Sequence, residues 1–294
     1  MSALFKTPSP ATVQFGNKPM KRTEIKSVNW HITRRCNYKC KFCFSQNLDG
    51  EVTSLERAEE ILQYLRRMGM EKINIVGGEP TLHPLFLDIV KLAKGMGFVV
   101  SIVSNGYYLN RDIIFKLLPF VDWIGLSIDS AHEAVELALG RGNGDHVKNV
   151  LELSEIIHQA GIKLKINTTV TRPNWIEDMR PLIRRLKPDR WKIFQVLHIS
   201  GQNDVYFDEL SITDEQFDHF KSLNQQSIEG VKPVFEGNHE MIASYFMLSP
   251  SGMAMSNLDG TNRTLTPLVG ITHDNISQIL DVQQYLGRGG IYPW

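Results

Sequence analysis

The sequence predicts an α/β fold in which six strand–helix units form an open, partial (β/α)6 barrel. Two observations predict it: short apolar runs alternate with amphipathic stretches from residue 28 onward, and several of these stretches end at a helix-stopping glycine. Such alternation produces parallel strands joined by right-handed crossovers, and six units fall short of the eight in a closed barrel. We expect a flexible tail at 1–25, the barrel at 26–200, and an extension at 201–294 that completes a ligand pocket.

The strands and helices alternate in a regular order along the chain. The predicted strands are 28–33, 72–76, 99–104, 123–129, 163–170 and 191–199. The predicted helices are 54–68, 85–96, 110–118, 131–139, 147–160 and 175–186.

The predicted strands have one apolar and one polar face. Lys165 and Asn167 point away from the apolar residues of their strand, as do Lys72, Asn29 and Ser127 in theirs. Parallel strands covered on both faces are usually apolar throughout. The polar face therefore predicts a ligand site, because buried amides and ammonium groups need partners. An antiparallel sheet with one face in water is the alternative, and the long intervening helices argue against it.

Charge and hydropathy give no support for binding to nucleic acid or to a membrane. The 294 residues carry 32 basic and 32 acidic side chains, so the whole molecule has no net attraction for nucleic acid or an anionic membrane. Neither a signal peptide nor a membrane-spanning run is evident. We expect a cytoplasmic protein that binds neither nucleic acid nor a membrane.

The three cysteines of the chain, Cys36, Cys40 and Cys43, lie within eight residues. Three cysteines cannot form a disulfide framework, and their clustering indicates a metal site. A cubane iron–sulfur cluster usually takes four thiolates, so three would leave one iron open. Structural zinc with His31 as a fourth ligand is one alternative, and a chance group of buried cysteines is another.

The spacing Cys-x3-Cys-x-aromatic-Cys resembles the signature of the radical S-adenosylmethionine (SAM) superfamily. The resemblance implies the partial barrel of that superfamily and a [4Fe–4S] cluster whose open iron binds SAM. The SAM contacts that it implies are Phe42, Gly77, Gly78, Glu79, Pro80, Ser104, Asn105, Ser127 and Asp129. Residues 77–80 are expected to receive the methionine amino group, although Gly-Gly-Glu-Pro alone could be a simple turn.

Further segments resemble the viperin family. They are residues 30–40, 69–75, 102–106, 140–144, 165–167, 190–195 and 288–294. The chain lacks the N-terminal amphipathic helix and the extra C-terminal tail of the animal proteins, and so resembles the prokaryotic members. In that family a 5′-deoxyadenosyl radical takes the 4′ hydrogen of a nucleoside triphosphate, and the 3′ hydroxyl leaves as water. One electron and a proton then complete a chain-terminating 3′-deoxy-3′,4′-didehydro nucleotide, which implies a role in antiviral defence.

The same resemblance implies a set of substrate contacts. They are Asn29, Lys72, Arg141, Lys165, Asn167, Arg190 and Lys192, with Arg141 at the γ-phosphate and Asn167 near the sugar and base. A triphosphate carries about four negative charges and needs several cations at once, although any one strand lysine could instead extend its head into water. Tyr245 matches the proposed terminal hydrogen donor, and the alternative is a core tyrosine.

The base and the electron donor are less well defined. Glu236, Asn238 and Glu240 are polar candidates for the base pocket, and CTP is the expected substrate, with UTP and GTP as alternatives. A flavodoxin or ferredoxin is the expected reductant. Competing functions are a radical SAM enzyme for another anionic substrate, such as a GTP cyclase, and a zinc-binding structural module. The cyclases carry a second cluster, and no cysteine follows Cys43.

Overall fold

The computed structural model describes residues 22–294, in which one sheet of ten strands carries helices on one of its faces. Most of the predicted tail at 1–25 lies outside the described residues. Thr23 and Ile25, which are described, are both buried, and the Thr23 amide donates to the Met68 carbonyl. This short stretch therefore packs onto the first helix. No helix within residues 22–294 is long and apolar enough to cross a membrane.

Six parallel strands form the middle of the sheet in sequence order. They are β1 (Ser27–His31), β2 (Lys72–Val76), β3 (Val99–Ser104), β4 (Trp123–Ser127), β5 (Lys163–Val170) and β6 (Arg190–Gln195). The helices that follow them are α1 (Leu55–Met68), α2 (Phe86–Gly95), α3 (Arg111–Leu117), α4 (Glu133–Ala138), α5 (His146–Gln159) and α6 (Arg180–Leu186). The open α/β sheet predicted from the sequence is confirmed, and β2, β3 and β5 have their predicted bounds.

Two elements end or begin where side chains capture backbone amides. β4 stops at Ser127 rather than at 129, because the Glu136 carboxylate accepts hydrogen bonds from the amides of Asp129 and Ser130. α6 begins at Arg180 rather than at 175, because the Asn174 side chain folds the preceding segment into a turn by accepting from the Thr171 amide. Local side-chain bonds of this kind compete with regular structure.

The C-terminal segment joins both edges of this sheet. β7 (Val234–Glu236) pairs with β6, while β8 (Met247–Leu248) pairs in parallel with β1 and leads into the hairpin β9 (Met253–Ser256) and β10 (Thr264–Pro267). Its helices are α7 (Asp204–Leu210), α8 (Asp214–Asn224), α9 (Asn238–Met241) and α10 (Val282–Gly287). In α10 the Tyr285 hydroxyl accepts from the backbone amides of Lys26 and Ser27. The last helix is thereby tied to the first strand.

The apolar face of the sheet is the core of the protein. Trp30, Ile73 and Leu164 are fully buried there, and α1 buries Ile61 and Leu65 in the same cluster. Each buried side chain of this size stabilises the fold by about 1.5–3 kcal/mol relative to exposure. Helices therefore cover one face, and the polar face remains for the site.

Candidate active site

A cavity of about 350 Å³ lies on the polar face of the sheet. The strand register explains its polarity: Asn29 lies opposite Asn74, and Asn167 lies between Ser127 and Lys192 on the neighbouring strands. All five side chains line the cavity. The alternating pattern of the sequence thus placed the polar face correctly.

Most residues predicted for the site line this cavity. They are Asn29, Cys36, Cys40, Phe42, Cys43, Lys72, Gly77, Gly78, Ser104, Asn105, Ser127, Arg141, Lys165, Asn167, Arg190, Lys192 and Tyr245. Glu79, Pro80 and Asp129 do not line it; they lie behind the wall. The predicted base-pocket residues Glu236, Asn238 and Glu240 are also outside the lining.

The cysteine loop follows β1 and is held against the glycine pair after β2. The Gly78 amide donates to the Thr33 carbonyl and the Glu79 amide to the Arg35 carbonyl, at 2.8 and 2.7 Å. A β-carbon on Gly78 would lie 2.3 Å from the Arg35 carbonyl oxygen. The glycine is therefore required for this close approach of the two backbones.

The three thiols lie in a buried environment that disfavours free thiolates. Burial raises the pKa of Cys40 to about 12, and it also raises the pKa values of Cys36 and Cys43. Within residues 22–294 no three Cys, His, Asp or Glu side chains converge on a single metal ion. A zinc ion would require such convergence, whereas a cubane binds each thiolate through a different iron. The donor set therefore fits a cluster better than a single ion.

Glu79 supports the wall of the cavity from behind. Its buried carboxylate accepts hydrogen bonds from the Ser104 hydroxyl and the Asn105 amide, both at 2.8 Å, and from Thr81. Glu79 therefore fixes Ser104 and Asn105, and its predicted contact with SAM stays a prediction. Pro80 starts a short 3-10 turn and is buried. Of the Gly-Gly-Glu-Pro motif, the glycines form the surface that faces the cavity.

Arg141 lies at the cysteine end of the cavity. Its Nε is 2.6 Å from Asp129 Oδ2 and 3.7 Å from Glu136 Oε2, and its guanidinium lies 5.4 Å from the Phe42 ring centre. Burial and the Asp129 charge raise the pKa of Glu136 to about 8. Asp129 and Glu136 hold the side chain at the cysteine end, and the γ-phosphate contact of Arg141 stays a prediction. Asp129 positions Arg141, and its predicted contact with SAM likewise stays a prediction.

The other end of the cavity concentrates cations. Burial, reinforced by neighbouring cations, lowers the pKa of Lys72 to about 6 and that of Lys165 to about 7. Burial also lowers the pKa of Lys192 to about 8, although Glu236 opposes this shift. Arg190 lies nearby, with its guanidinium 3.9 Å from the Tyr292 ring centre. Like charges gathered away from water form a site for a polyanion, which would restore their protonated state.

Tyr245 belongs to a buried polar group at this cationic end. Its hydroxyl donates to Glu236 and accepts from Lys192 Nζ at 2.9 Å. The Arg288 guanidinium lies 3.7 Å from the Tyr245 ring centre. Burial and the Glu236 charge raise the pKa of Tyr245 well above its usual value. The hydroxyl hydrogen is therefore retained at every physiological pH, and Glu236 is engaged here rather than at a base.

Sequence reasoning missed several residues of the cavity wall. Tyr292 contacts Lys72 through its hydroxyl, and Arg288 lies over Tyr245. Both lie in segment 288–294, which resembles the viperin family. That resemblance is the sequence signal that could have identified them. Arg263 also lines the cavity, and no motif marked it.

Comparison with known proteins agrees with this geometry. The model of the radical SAM superfamily matches residues 30–207. Among solved structures, Streptococcus suis SuiB bound to S-adenosylmethionine has a TM-score of 0.66 at 18% identity, over 89% of this chain and 67% of that one. Native anSMEcpe with bound AdoMet has a TM-score of 0.63 at 18% identity, over 89% and 82% of the two chains. These two likenesses describe the fold.

Three curated relatives are similar to this chain over most of their own length. The S-adenosylmethionine-dependent nucleotide dehydratase of Thermoplasmatales archaeon (strain ISO4-H5) is 39% identical over 92% of this chain and 97% of its own. The protein of that name from Flammeovirga pacifica is 36% identical over 92% and 96%. The nucleotide dehydratase RSAD2 of Oncorhynchus mykiss is 32% identical over 97% and 86%.

The chain therefore belongs to the radical SAM superfamily of enzymes, whose cofactors are a [4Fe–4S] cluster and SAM. Within that superfamily it is a member of the S-adenosylmethionine-dependent nucleotide dehydratases, the viperin family. The resemblance stated from the cysteine and glycine motifs is confirmed. This family assignment excludes the alternative in which the three cysteines belong to a zinc-binding structural module.

Proposed function

We propose that this enzyme removes the 3′ hydroxyl of a nucleoside triphosphate as water, giving the 3′-deoxy-3′,4′-didehydro nucleotide. The observation that carries the proposal is the group of buried cations, Lys72, Lys165, Lys192 and Arg190, at the end of the cavity away from the cysteines. Such a group matches the charge of a triphosphate. The names of the curated relatives support the same reaction.

The two ends of the cavity have separate tasks in this proposal. When bound, the cluster and SAM supply a 5′-deoxyadenosyl radical that takes the 4′ hydrogen. At the cysteine end, Gly77 and Gly78 line the part of the cavity that would hold the methionine part of SAM, and Arg141 provides a cation for its carboxylate. At the other end the lysines hold the phosphates. Asn167 lies beside Lys192 on the neighbouring strand and faces the sugar. The sheet thus fixes the distance between radical source and substrate.

Tyr245 is the proposed donor of the final hydrogen. Its hydroxyl lines the same cavity and keeps its hydrogen, because burial and Glu236 disfavour the phenolate. Donation of a hydrogen atom, one proton with one electron, would leave a neutral tyrosyl radical whose oxygen still accepts the hydrogen bond from Lys192, while Arg288 lies over the ring. Because Tyr245 lies at the cationic end of the cavity, its position supports donation of the hydrogen from the phosphate side of the sugar.

The product suggests the biological role. A nucleotide without a 3′ hydroxyl cannot be extended by a polymerase, so its accumulation would stop viral genome synthesis. We propose antiviral defence on that chemical ground. Expression of the protein should lower phage plaque number, and a Cys36→Ala variant at equal abundance should not. Equal protection by both proteins would contradict a role for the product.

A small acidic electron carrier, a flavodoxin or ferredoxin, is the proposed reductant, in a reducing cytoplasm. From Arg34 to Leu48 the chain carries four cations and no carboxylate, and Arg34 and Lys39 are exposed beside the cluster ligands. Electrostatic attraction to an acidic carrier speeds encounter. Lys39→Glu should slow cluster reduction by flavodoxin but not by dithionite, whereas Lys116→Glu should change neither rate. A rate unchanged by Lys39→Glu would contradict docking at this loop.

One anaerobic assay tests the reaction and its base. Reconstituted enzyme is incubated with dithionite, SAM and, separately, CTP, UTP, GTP and ATP. Mass spectrometry then follows 5′-deoxyadenosine and a nucleotide lighter by one water. We expect both products with one triphosphate, CTP, and neither with the corresponding monophosphate. If 5′-deoxyadenosine forms at the same rate without nucleotide as with each of the four nucleotides, the proposed substrate is wrong.

A further inference from the structure

Arg263 lies in the loop between β9 and β10, and its side chain reaches the cysteine loop. Its Nη2 donates a hydrogen bond to the carbonyl of Phe44, the residue directly after Cys43. The Phe44 ring in turn lies edge-on to His31, with ring centres 6.2 Å apart. Arg263, Cys43 and His31 all line the cavity. The C-terminal segment therefore contributes a cation to the cluster end as well as to the substrate end.

The charge of Arg263 has no anionic partner in the described part of the chain. Its Nη1 is buried without a hydrogen-bond partner, and no carboxylate lies within ion-pair distance among residues 22–294. Burial lowers its pKa to about 10, while the Cys43 side chain acts in the opposite direction. Arg263 is half-buried, and a partly desolvated cation without a counter-charge is unfavourable, so its position favours an anion that the protein itself does not supply.

Arg141, the other guanidinium at this end, is different in this respect. Its Nε is 2.6 Å from Asp129 Oδ2, so its charge already has a carboxylate partner within the protein. The Arg141 charge acts on all three cysteines, and the Arg263 charge acts on Cys43 as well. Of these two guanidinium groups, Arg263 is the one without an anionic partner among residues 22–294.

We propose that Arg263 is a positioning residue that supplies the counter-charge of the iron–sulfur cluster beside Cys43 and raises its reduction potential. A cluster on three thiolates is anionic, and reduction adds one more negative charge. A nearby cation in a site of low dielectric favours the reduced state more than the oxidised state. The proposal rests on the cluster alone and is independent of the nucleotide substrate.

Redox titration of the reconstituted protein, followed by electron paramagnetic resonance without SAM or nucleotide, tests this role. Arg263→Gln keeps a donor for the Phe44 carbonyl and removes the charge, whereas Arg263→Lys keeps the charge. We expect the glutamine variant to hold full iron and sulfide but to be reduced about tenfold less at a fixed potential. Tenfold corresponds to about 59 mV for a one-electron couple. The lysine variant and an exposed-cation control, Lys116→Gln, should titrate close to wild type.

Two results would overturn the proposal. One is an unchanged midpoint potential in Arg263→Gln with full iron content, which would leave Arg263 as a support for the Phe44 carbonyl only. The other is loss of the cluster in both the glutamine and the lysine variants, which would show that guanidinium shape matters and charge does not. Loss of the cluster in the glutamine variant alone would support the counter-charge, because only that variant lacks the cation.

Discussion

Lys192 Nζ lies 2.5 Å from Glu236 Oε1, and this buried ion pair joins β6 to β7 at the cationic end of the cavity. Burial alone would raise the pKa of Glu236, but Lys192 and Arg288 hold it below its usual value. The carboxylate therefore stays charged and accepts the Tyr245 hydroxyl hydrogen bond. A bound triphosphate has to share Lys192 with Glu236, while Lys72 and Lys165 remain free of any carboxylate partner among residues 22–294.

Tyr245→Phe should separate radical formation from product formation. The variant keeps the ring beneath Arg288 and loses only the hydroxyl, so nucleotide binding should be nearly unchanged. We expect 5′-deoxyadenosine to form in the presence of CTP, while the dehydrated nucleotide falls at least about tenfold. Quantifying both products by mass spectrometry gives their ratio. Tyr108→Phe, on the exposed surface, is the control. A wild-type product ratio in Tyr245→Phe would remove this residue as the hydrogen donor.

Lys165→Ala should weaken triphosphate binding far more than SAM binding. A hydrogen bond to a charged group contributes about 1.5–3 kcal/mol, so the Kd for CTP should rise roughly tenfold to a hundredfold. Isothermal titration calorimetry of the anaerobic protein measures both ligands. Lys148→Ala, an exposed lysine on α5, should leave both affinities unchanged. An equal loss for CTP and SAM would show a general disturbance of the fold instead.

Nucleotide affinity should fall as the pH rises from about 7 to 9. In the free enzyme the pKa of Lys165 is lowered to about 7 and that of Lys192 to about 8, chiefly by burial, so both lose protons over this range. The polyphosphate favours the protonated lysines, and binding therefore takes up protons. Calorimetry in buffers of different ionisation enthalpy measures this uptake. Binding without proton uptake at pH 8 would contradict the lowered pKa values.

The stability of the ligand-free enzyme should change in the opposite direction. The folded protein binds fewer protons on these lysines than the unfolded chain does, between about pH 7 and the usual lysine pKa near 10.4. The free energy of unfolding should therefore rise with pH over that range. Urea unfolding of wild type and Lys165→Met at pH 7 and 9 measures the change. Equal pH dependence in the two proteins would assign the effect to other groups.

Gly78→Ala should prevent assembly of the cluster site. The added carbon would lie 2.3 Å from the Arg35 carbonyl oxygen, so the cysteine loop would have to move away from β2. We expect bound iron to fall severalfold after reconstitution. Gly95→Ala is the matched control. Gly95 lies at the end of α2, and a β-carbon added there would meet no neighbouring atom within 4 Å, so this variant should keep full iron content. Full iron content in both variants would mean that the loop tolerates the displacement.

The sequence predicted the central sheet and most of the cavity wall for identifiable physical reasons. Period-two alternation marked Lys165 and Asn167 as facing one side, and the register confirms this. It did not predict the four strands that extend the sheet edges, β7 on one side and β8, β9 and β10 on the other, because each is only two to four residues long. Their positions depend on pairing with distant segments, which no local pattern encodes.

The roles of the charged residues were harder to predict than their presence. The sequence does not show that Asp129 and Glu136 hold Arg141 at the cysteine end. Glu79 lies behind the wall because Ser104 and Asn105 bind its carboxylate. In each case the deciding partner comes from another strand or loop. A local sequence pattern does not predict such contacts, because they form between segments that are distant in the chain.

The Tyr285 hydroxyl accepts from the amides of Lys26 and Ser27, so the C-terminal segment is anchored to the first strand. Arg263 and Arg288 belong to that segment and line the cavity together with the three cysteines. The enclosure of the thiols therefore depends on a contact between two distant parts of the chain, and loss of that contact would also open the cysteine site to solvent.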